Sequence, residues 1–347
     1  MLKLGVCRLD QFPDDGLDRH TVLSRGGIYQ LLRRATPSFL RDSSKSRISY
    51  QLLLTAVPPS DREVAIFEYV MARMCLSNGV FRTTFAGRFQ GLDEFLNSLL
   101  VKTFPQQTRL QIHDWAASDC VTSHEWARSL LQLFPGAQFT ASDLTLFLVE
   151  VAVDRTETFI FEANGGLLQY VRPPFVVRIQ PPEPSVLLVN SIIRRYARKK
   201  FEQLRAKWVL PDDWLNSSAT EYQDGSLSFR KIPLIHPKAL AFRRECDRFD
   251  IRRHSAFEAL DKPVHVIRTM NIFNLNYFSK SDLTAGVRAV FDSLVEGGVW
   301  IVGRTHEGKR LQHDVSGFVK HQGGLTLLDH YGRGSEIDQI AYSACGS

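Results

Sequence analysis

The chain is 347 residues long and carries 43 Lys and Arg against 37 Asp and Glu, a formal net charge of +6. At 44% hydrophobic and 23% charged residues it has the composition of a globular protein, long enough for two or three domains and without an evident repeat or low-complexity tract. Its five cysteines, Cys7, Cys75, Cys120, Cys246 and Cys345, lie far apart with no CxxC or Cys/His ligand spacing, which argues against a disulfide framework and a zinc site.

In chain order, "MLKLGVCRLDQFPDD" meets acidic residues and a proline before any apolar core forms, unlike a secretory signal. From Thr21 to Phe104, "IYQLLRRATPSFL", "DREVAIFEYVMARMCL" and "LDEFLNSLLVKTF" place apolar residues three or four apart. Asp61 is the expected N-cap of the second segment and Gly79 its stop. Residues 1–104 are therefore expected to form a helical N-terminal region.

After Pro105 the period changes. "RLQIHDW" predicts a strand, "SHEWARSLLQLF" a helix with Trp126, Leu130, Leu131 and Phe134 on one face, and "AQFTASDLT" a second strand, with Pro135 and Gly136 closing the helix. "LFLVEVAVDRTETFIFEANGGLLQYVRPPFVVRI" then predicts several antiparallel strands with turns at 154–156 and 164–166. The basic segment "RRYARKKFEQLRAK" predicts a helix with Ile193, Tyr196, Ala197, Phe201 and Leu204 on its core side. Its charged face is either solvated or meets an acidic partner, RNA or a membrane surface. The longest apolar run, "VLLVNSII", falls far short of the ~20 residues that span a bilayer, so a soluble, cytoplasmic protein without membrane insertion is expected.

Helix and strand then alternate again through "HPKALAFRREC", "RFDIRRH", "VHVIRTM", "LTAGVRAVFDSLV" and "EGGVWIVGRT". "HDVSGFVKH" and "GLTLLDHYG", joined by "QGG", predict two last strands. Residues 146–233 thus read as a β-rich and basic-helix insertion within a domain spanning 105–347.

Two carboxylates, Asp114 and Asp143, stand at adjacent predicted strand ends. Behind the first come Ala116, Ala117, Ser118, Asp119 and Cys120, all small or turn-forming. Ligands of doubly wound sheets bind outside the carboxyl ends of the strands, and an acid ending the second strand accepts hydrogen bonds from the ribose hydroxyls of an adenosine. The pattern Asp114-x-Ala116-x-Ser118-x-Cys120 resembles the first motif of the class I S-adenosylmethionine-dependent methyltransferases, keeping its acid and spacing while replacing every glycine. Gly297-Gly298 before "VWIVGRT", and "GRGSEI" read as part of the final strand region, also look like that family, over roughly residues 106–335. The layout is nearest the CheR-type methyltransferases, which join a helical N-terminal domain to a methyltransferase domain interrupted after its second strand. Their RN(V/L)xxYF block is echoed by "RTMNIFNLNYF", with a longer Asn-to-Tyr spacing.

The resemblance implies an α/β protein: a Rossmann-like seven-stranded methyltransferase sheet with a helical N-terminal region and an antiparallel β-rich insertion. It implies S-adenosylmethionine as cofactor and an unidentified small-molecule or protein methyl acceptor. By the same resemblance Ala116, Ala117 and Ser118 form the cofactor loop, and Asp114 orients it and approaches the methionine ammonium. Asp143 binds the ribose, Leu144 covers the adenine, Ser255 and Ala256 meet the adenine amine, and Asn271 holds the amino-acid part or the acceptor.

Structural roles stay open beside these: turn caps for Asp114 and Asn271, a helix N-cap for Asp143, and core packing for Phe257. Glycine admits positive φ and close ligand approach; alanine, serine or cysteine is expected to replace it here only at negative φ. A sulfonium is already a strong leaving group, so positioning can carry much of the rate. No catalytic base is assigned, since His254, Tyr277 and Glu125 are candidates by location alone. Gln169, Tyr170, Arg172, Pro173 and Pro174 either shape the acceptor pocket or pack as a strand. The missing glycines motivate a competing reading, a catalytically inactive scaffold. Nucleic-acid modification rests only on the basic helix, and "MNIF" stands where amino-methylating enzymes carry an Asn/Asp-Pro-Pro-aromatic tetrad.

Overall fold

The computed structural model describes residues 5–6, 47–53, 59–79, 82, 84–105, 109–173, 175–179, 188–307 and 311–345. The segment "IYQLLRRATPSFL" lies outside them. In chain order the elements begin with β1 (Gly5–Val6), β2 (Arg47–Ile48), α1 (Asp61–Met71), α2 (Gln90–Thr103), β3 (Gln111–Trp115), α3 (Val121–Leu133) and β4 (Gln138–Asp143). Next come β5 (Phe147–Ala152), β6 (Thr158–Glu162), β7 (Leu167–Arg172), β8 (Phe175–Arg178), α4 (Leu188–Arg205), α5 (Asp212–Asn216), β9 (Glu221–Asp224) and β10 (Leu227–Pro233). The chain finishes with α6 (Pro237–Glu245), β11 (Phe249–Arg253), β12 (Val264–Met270), α7 (Lys280–Asp292), β13 (Leu294–Glu307), β14 (Leu311–His321), β15 (Gly324–Tyr331) and α8 (Asp338–Cys345). Among the described residues no helix is long and apolar enough to cross a membrane.

The chain divides into two compact units, residues 1–83 with 147–237, and residues 84–146 with 238–347. The stretch 84–104, which contains α2 and was expected with the N-terminal helices, belongs by its contacts to the second unit.

In the first unit a six-stranded antiparallel sheet runs β8-β7-β6-β5-β10-β9. Alternation along its strands sends Leu148, Ile160 and Val171 to one face, against Phe67, Val70 and Met71 of α1, and Val149, Phe159 and Phe161 to the other, against Ala197 and Phe201 of α4. Burial on both faces explains why these strands read as near-continuous apolar runs. Three expectations change here. Ser60, not Asp61, caps α1: its Oγ accepts the Glu63 N–H at 3.2 Å while Glu63 accepts the Ser60 N–H at 2.8 Å, leaving Asp61 in the first turn where the helix dipole favours an acid. The helix ends at Met71, so Gly79 turns the chain well beyond it. Tyr196 is exposed rather than on the core side of α4, although its hydroxyl donates to the buried Glu157 Oε1 at 3.4 Å.

In the second unit a seven-stranded sheet runs β11-β4-β3-β12-β13-β14-β15. The first five strands are parallel, and β14 and β15 form an antiparallel meander after β13. The fold class is the α/β arrangement with an antiparallel β-rich insertion that the sequence predicts. Trp115, Ile267, Trp300 and Phe318 pack with Leu283, Val287 and Val290 of α7 into one core. From central β3 the chain moves outward through β4 and β11, then returns to place β12 on the other side of β3. Strand order therefore reverses between β3 and β12, and a crevice is expected at their carboxyl ends. Residues 332–337 form a turn rather than part of a strand, since Gly332 (φ +69°) and Gly334 (φ +79°) are left-handed and Asp314 Oδ1 accepts the Arg333 N–H at 3.0 Å.

Candidate functional site

The loop after β3 sits at that switch point. Ala116, Ser118 and Cys120 have φ of 55°, 57° and 63°, so every second residue is left-handed although none is glycine. This corrects the expectation of negative φ: the loop keeps the backbone of a glycine turn and puts a Cβ on it. Such conformations cost L-residues roughly 1–2 kcal/mol each and persist only where the surroundings over-determine them.

Those surroundings are visible. Ala117 N–H donates to Ser142 O at 2.9 Å and Ser118 N–H donates to Asp143 Oδ2 at 2.8 Å, tying the loop to the end of β4. Asp143 Oδ1 accepts the Thr145 N–H at 2.9 Å, and β5 rather than a helix follows, so Asp143 is no helix N-cap. Beside it Leu144 is exposed at the carboxyl end of β4.

Asp114 is only 3% exposed, and both its oxygens are engaged. Arg268 of β12, fully buried, donates Nε to Oδ1 at 2.9 Å and Nη2 to Oδ2 at 2.5 Å, and Ser123 Oγ donates to Oδ2 at 2.6 Å. Arg268 Nη1 also donates to Asp93 Oδ1 of α2 at 2.9 Å, while its guanidinium lies 4.1 Å from the Trp126 ring centroid. Two carboxylates thus share one cation. Burial pushes the Asp93 carboxyl up to about 7; Arg268 opposes the rise, and Asp114 and Glu125 add to it. Arg268, despite burial, is held above its ordinary value by Asp114 and Asp93.

On the other face of β3, the Trp115 and His254 rings lie 4.7 Å apart, and Trp115 Nε1 and His254 Nε2 are buried without a hydrogen-bond partner. Burial holds the His254 imidazole below its ordinary value, and His113 is driven down to about 4 by burial, then by His254 and Arg252. Ser255 Oγ accepts the Phe257 N–H at 3.3 Å, while Ala256 packs into the core beside Trp115. Phe257 packs against the same core, its ring 5.4 Å from that of Phe273.

Asn271 (φ 64°) ends β12; its N–H donates to Gly303 O at 2.8 Å and its Oδ1 accepts the Thr305 N–H at 2.6 Å, pinning β12 to β13. Thr305 Oγ1 lies 3.1 Å from His313 Nδ1. The structure thus brings Asp114, Ala116, Ala117, Ser118, Asp143 and Asn271 to the carboxyl ends of three adjacent strands, β4, β3 and β12, with Leu144 and Ser255 flanking them.

The base candidates fare differently. Both Glu125 oxygens accept the Gly87 N–H at 2.9 Å, Tyr277 is exposed, and His254 lies on Trp115. Gln169 and Tyr170 are buried structural members of the first unit: Gln169 bonds the backbone of Ile48 and Tyr50, and Tyr170 OH donates to Glu157 at 2.9 Å. Arg172 and Pro173 are exposed and Pro174 lies outside the described residues. Among the described residues no cluster of three His, Cys, Asp or Glu could hold a metal ion. Sequence reasoning missed Asp93, Ser123 and Arg268. The available signal was an arginine in the middle of "VHVIRTM", a central strand with no reason to carry an unpaired charge.

No family model and no curated protein matches the chain. Among solved structures it is similar to the sugar N-methyltransferase KedS8 from Streptoalloteichus, at 10% identity and a TM-score of 0.30 over 74% of this chain and 79% of that one. It is similar to an S-adenosylmethionine-dependent methyltransferase from Clostridium acetobutylicum, at 9% identity and 0.28 over 74% and 78%. A third similarity is to the CMeT domain of the citrinin polyketide synthase, at 15% identity and 0.32 over 72% and 41%. At these TM-scores the likenesses carry no weight for the reaction or its acceptor, which have to be read from the site.

Proposed function

We propose that the chain is an S-adenosylmethionine-dependent methyltransferase of CheR-like layout, acting in the cytoplasm on a small-molecule or protein acceptor. The observation that carries this reading is the left-handed alternation at Ala116, Ser118 and Cys120, tied to Asp143 at the switch point. A nucleoside cofactor also fits the two orphaned polar atoms, Trp115 Nε1 and His254 Nε2, near the ends of β3 and β11. The cofactor supplies an activated methyl group on a good leaving group.

The protein's part is then to bind, orient and exclude water. The Asp143 carboxylate accepts the Ser118 and Thr145 N–H groups, which fixes it at the carboxyl end of β4. The ribose hydroxyls donate to the same carboxylate in this reading. Leu144 covers the adenine, with Ser255 and Ala256 at its amine. Asp114 acts through the loop, its oxygens being held by Arg268 and Ser123, and Asn271 presents its amide to the amino-acid part or the acceptor.

One observation favours a second reading, a methyltransferase fold that binds without turnover: three side chains stand on a loop where glycine would let a ligand approach the backbone most closely. Calorimetric titration with S-adenosylmethionine and S-adenosylhomocysteine tests both. Micromolar binding that is lost in Asp143→Ala, followed by methyl transfer in an acceptor screen, is the expected result. Binding without transfer to any acceptor favours the second reading, and no binding by a folded sample overturns the cofactor assignment.

A further inference from the structure

Left-handed residues at every second position need something to hold them, and Asp143 holds the middle of the loop by accepting the Ser118 N–H. The residues flanking its two ends are joined to each other. Asp114 lies one residue before the turn, next to Trp115 that ends β3, and Ser123 lies in the first turn of the helix that follows; the two are joined by a 2.6 Å hydrogen bond. Both Asp114 oxygens are in turn gripped by Arg268, whose third nitrogen reaches Asp93. The group is almost wholly excluded from water: Arg268 and Ser123 are 0% exposed, Asp114 3% and Asp93 8%. Buried bidentate arginine–carboxylate pairs are strong and directional, since the planar fork fixes the carboxylate's orientation. Phe89 and Trp126 close over the guanidinium.

We propose that Arg268, Asp114, Ser123 and Asp93 form a buried clasp that closes the ends of the 116–120 loop, with Arg268 as a positioning residue that keeps the loop in its left-handed form. Arg268 touches no cofactor in this scheme; it acts through Asp114 and the start of α3. For the consequence in cofactor affinity the clasp rests on the reading above, but its effect on the loop is independent of that reading.

Cys120 provides a reporter, being the last left-handed residue of the loop and fully buried. Alkylation of the full chain with N-ethylmaleimide, resolved peptide by peptide, should label Cys120 at least tenfold faster in Ser123→Ala and in Arg268→Lys than in the parent. Cys75, buried in the first unit, should stay protected. General unfolding would expose both thiols. If Arg268→Lys does not fold, Ser123→Ala decides. Equal protection of Cys120 in the parent and in the folded variants overturns the clasp, as does simultaneous labelling of Cys75.

S-adenosylhomocysteine affinity, measured on the same samples, should fall at least tenfold wherever Cys120 is unmasked and Cys75 is not. Faster Cys120 labelling with unchanged affinity keeps the clasp but removes the loop from the cofactor site. Faster labelling with no binding even by the parent keeps the clasp and defeats the cofactor reading alone.

Discussion

Asp114 and Asp143 are the same side chain at the carboxyl ends of neighbouring parallel strands, and they do different work. Asp143 is half-buried and accepts the backbone N–H groups of Ser118 and Thr145, tying the 116–120 loop to the end of β4. Asp114 is buried and paired with Arg268 from the adjacent strand. A carboxylate at a strand end anchors loop backbone or pairs with a buried cation according to what the next strand supplies. Here β12 supplies a cation directly opposite Asp114, as the pairing of Arg268 with Asp114 in the strand register shows.

The largest expected effect breaks the fastening. Arg268→Met leaves Asp114 and Asp93 buried without their shared cation, and denaturant unfolding should show a loss of about 3–5 kcal/mol. Asp143→Ala should cost only about 1 kcal/mol, the scale of a hydrogen bond at a half-buried site. Similar losses for the two variants would erase the distinction between the carboxylates.

The next effect is in pH dependence. Asp93, raised to about 7, stays protonated in the fold where the unfolded chain has released its proton. Stability from this group is full below the unfolded value near 4 and is lost as pH rises to about 7, by up to about 4 kcal/mol. Asp93→Asn should therefore gain stability over the parent at pH 8 relative to pH 4, in thermal melts across that range. His113, held down to about 4, works in the opposite sense: the fold loses stability as pH falls from about 6.5 to 4. A parallel shift of the Asp93→Asn and parent curves would show that Asp93 is ionised throughout.

The smallest effect sharpens the account of the loop. Ala116 is left-handed and Ala117 is not. Ala116→Gly should stabilise by up to about 1 kcal/mol, whereas Ala117→Gly should destabilise by about the same amount, both by denaturant unfolding. Equal destabilisation by both would contradict the left-handed assignment.

Much of the fold was legible because apolar period is a local property. The change from helical spacing to strands after Pro105, the βαβ unit, the insertion and the final "QGG" hairpin all follow from residues within a few positions of one another. Local chemistry also places caps poorly: the sequence pattern puts the cap at Asp61, and the reciprocal bond to Glu63 selects Ser60. The site was half legible. Spacing located the loop and Asp143, but the sign of φ at Ala116 follows from anchors at residues 114, 123 and 143, and Arg268 lies 154 positions from Asp114.

The sequence by itself determined the α/β class, the order of the elements, the presence of an insertion and the place of the loop, since each depends on periodicity and turn chemistry along the chain. Only the tertiary structure decided that 84–104 packs with the second unit, that Asp114 is buried against Arg268 while Asp143 is half-buried against loop backbone, and that alanine, serine and cysteine occupy a glycine conformation. Those outcomes depend on which strands become neighbours, and charge pairing and backbone strain are settled only between residues that the sheet has brought together.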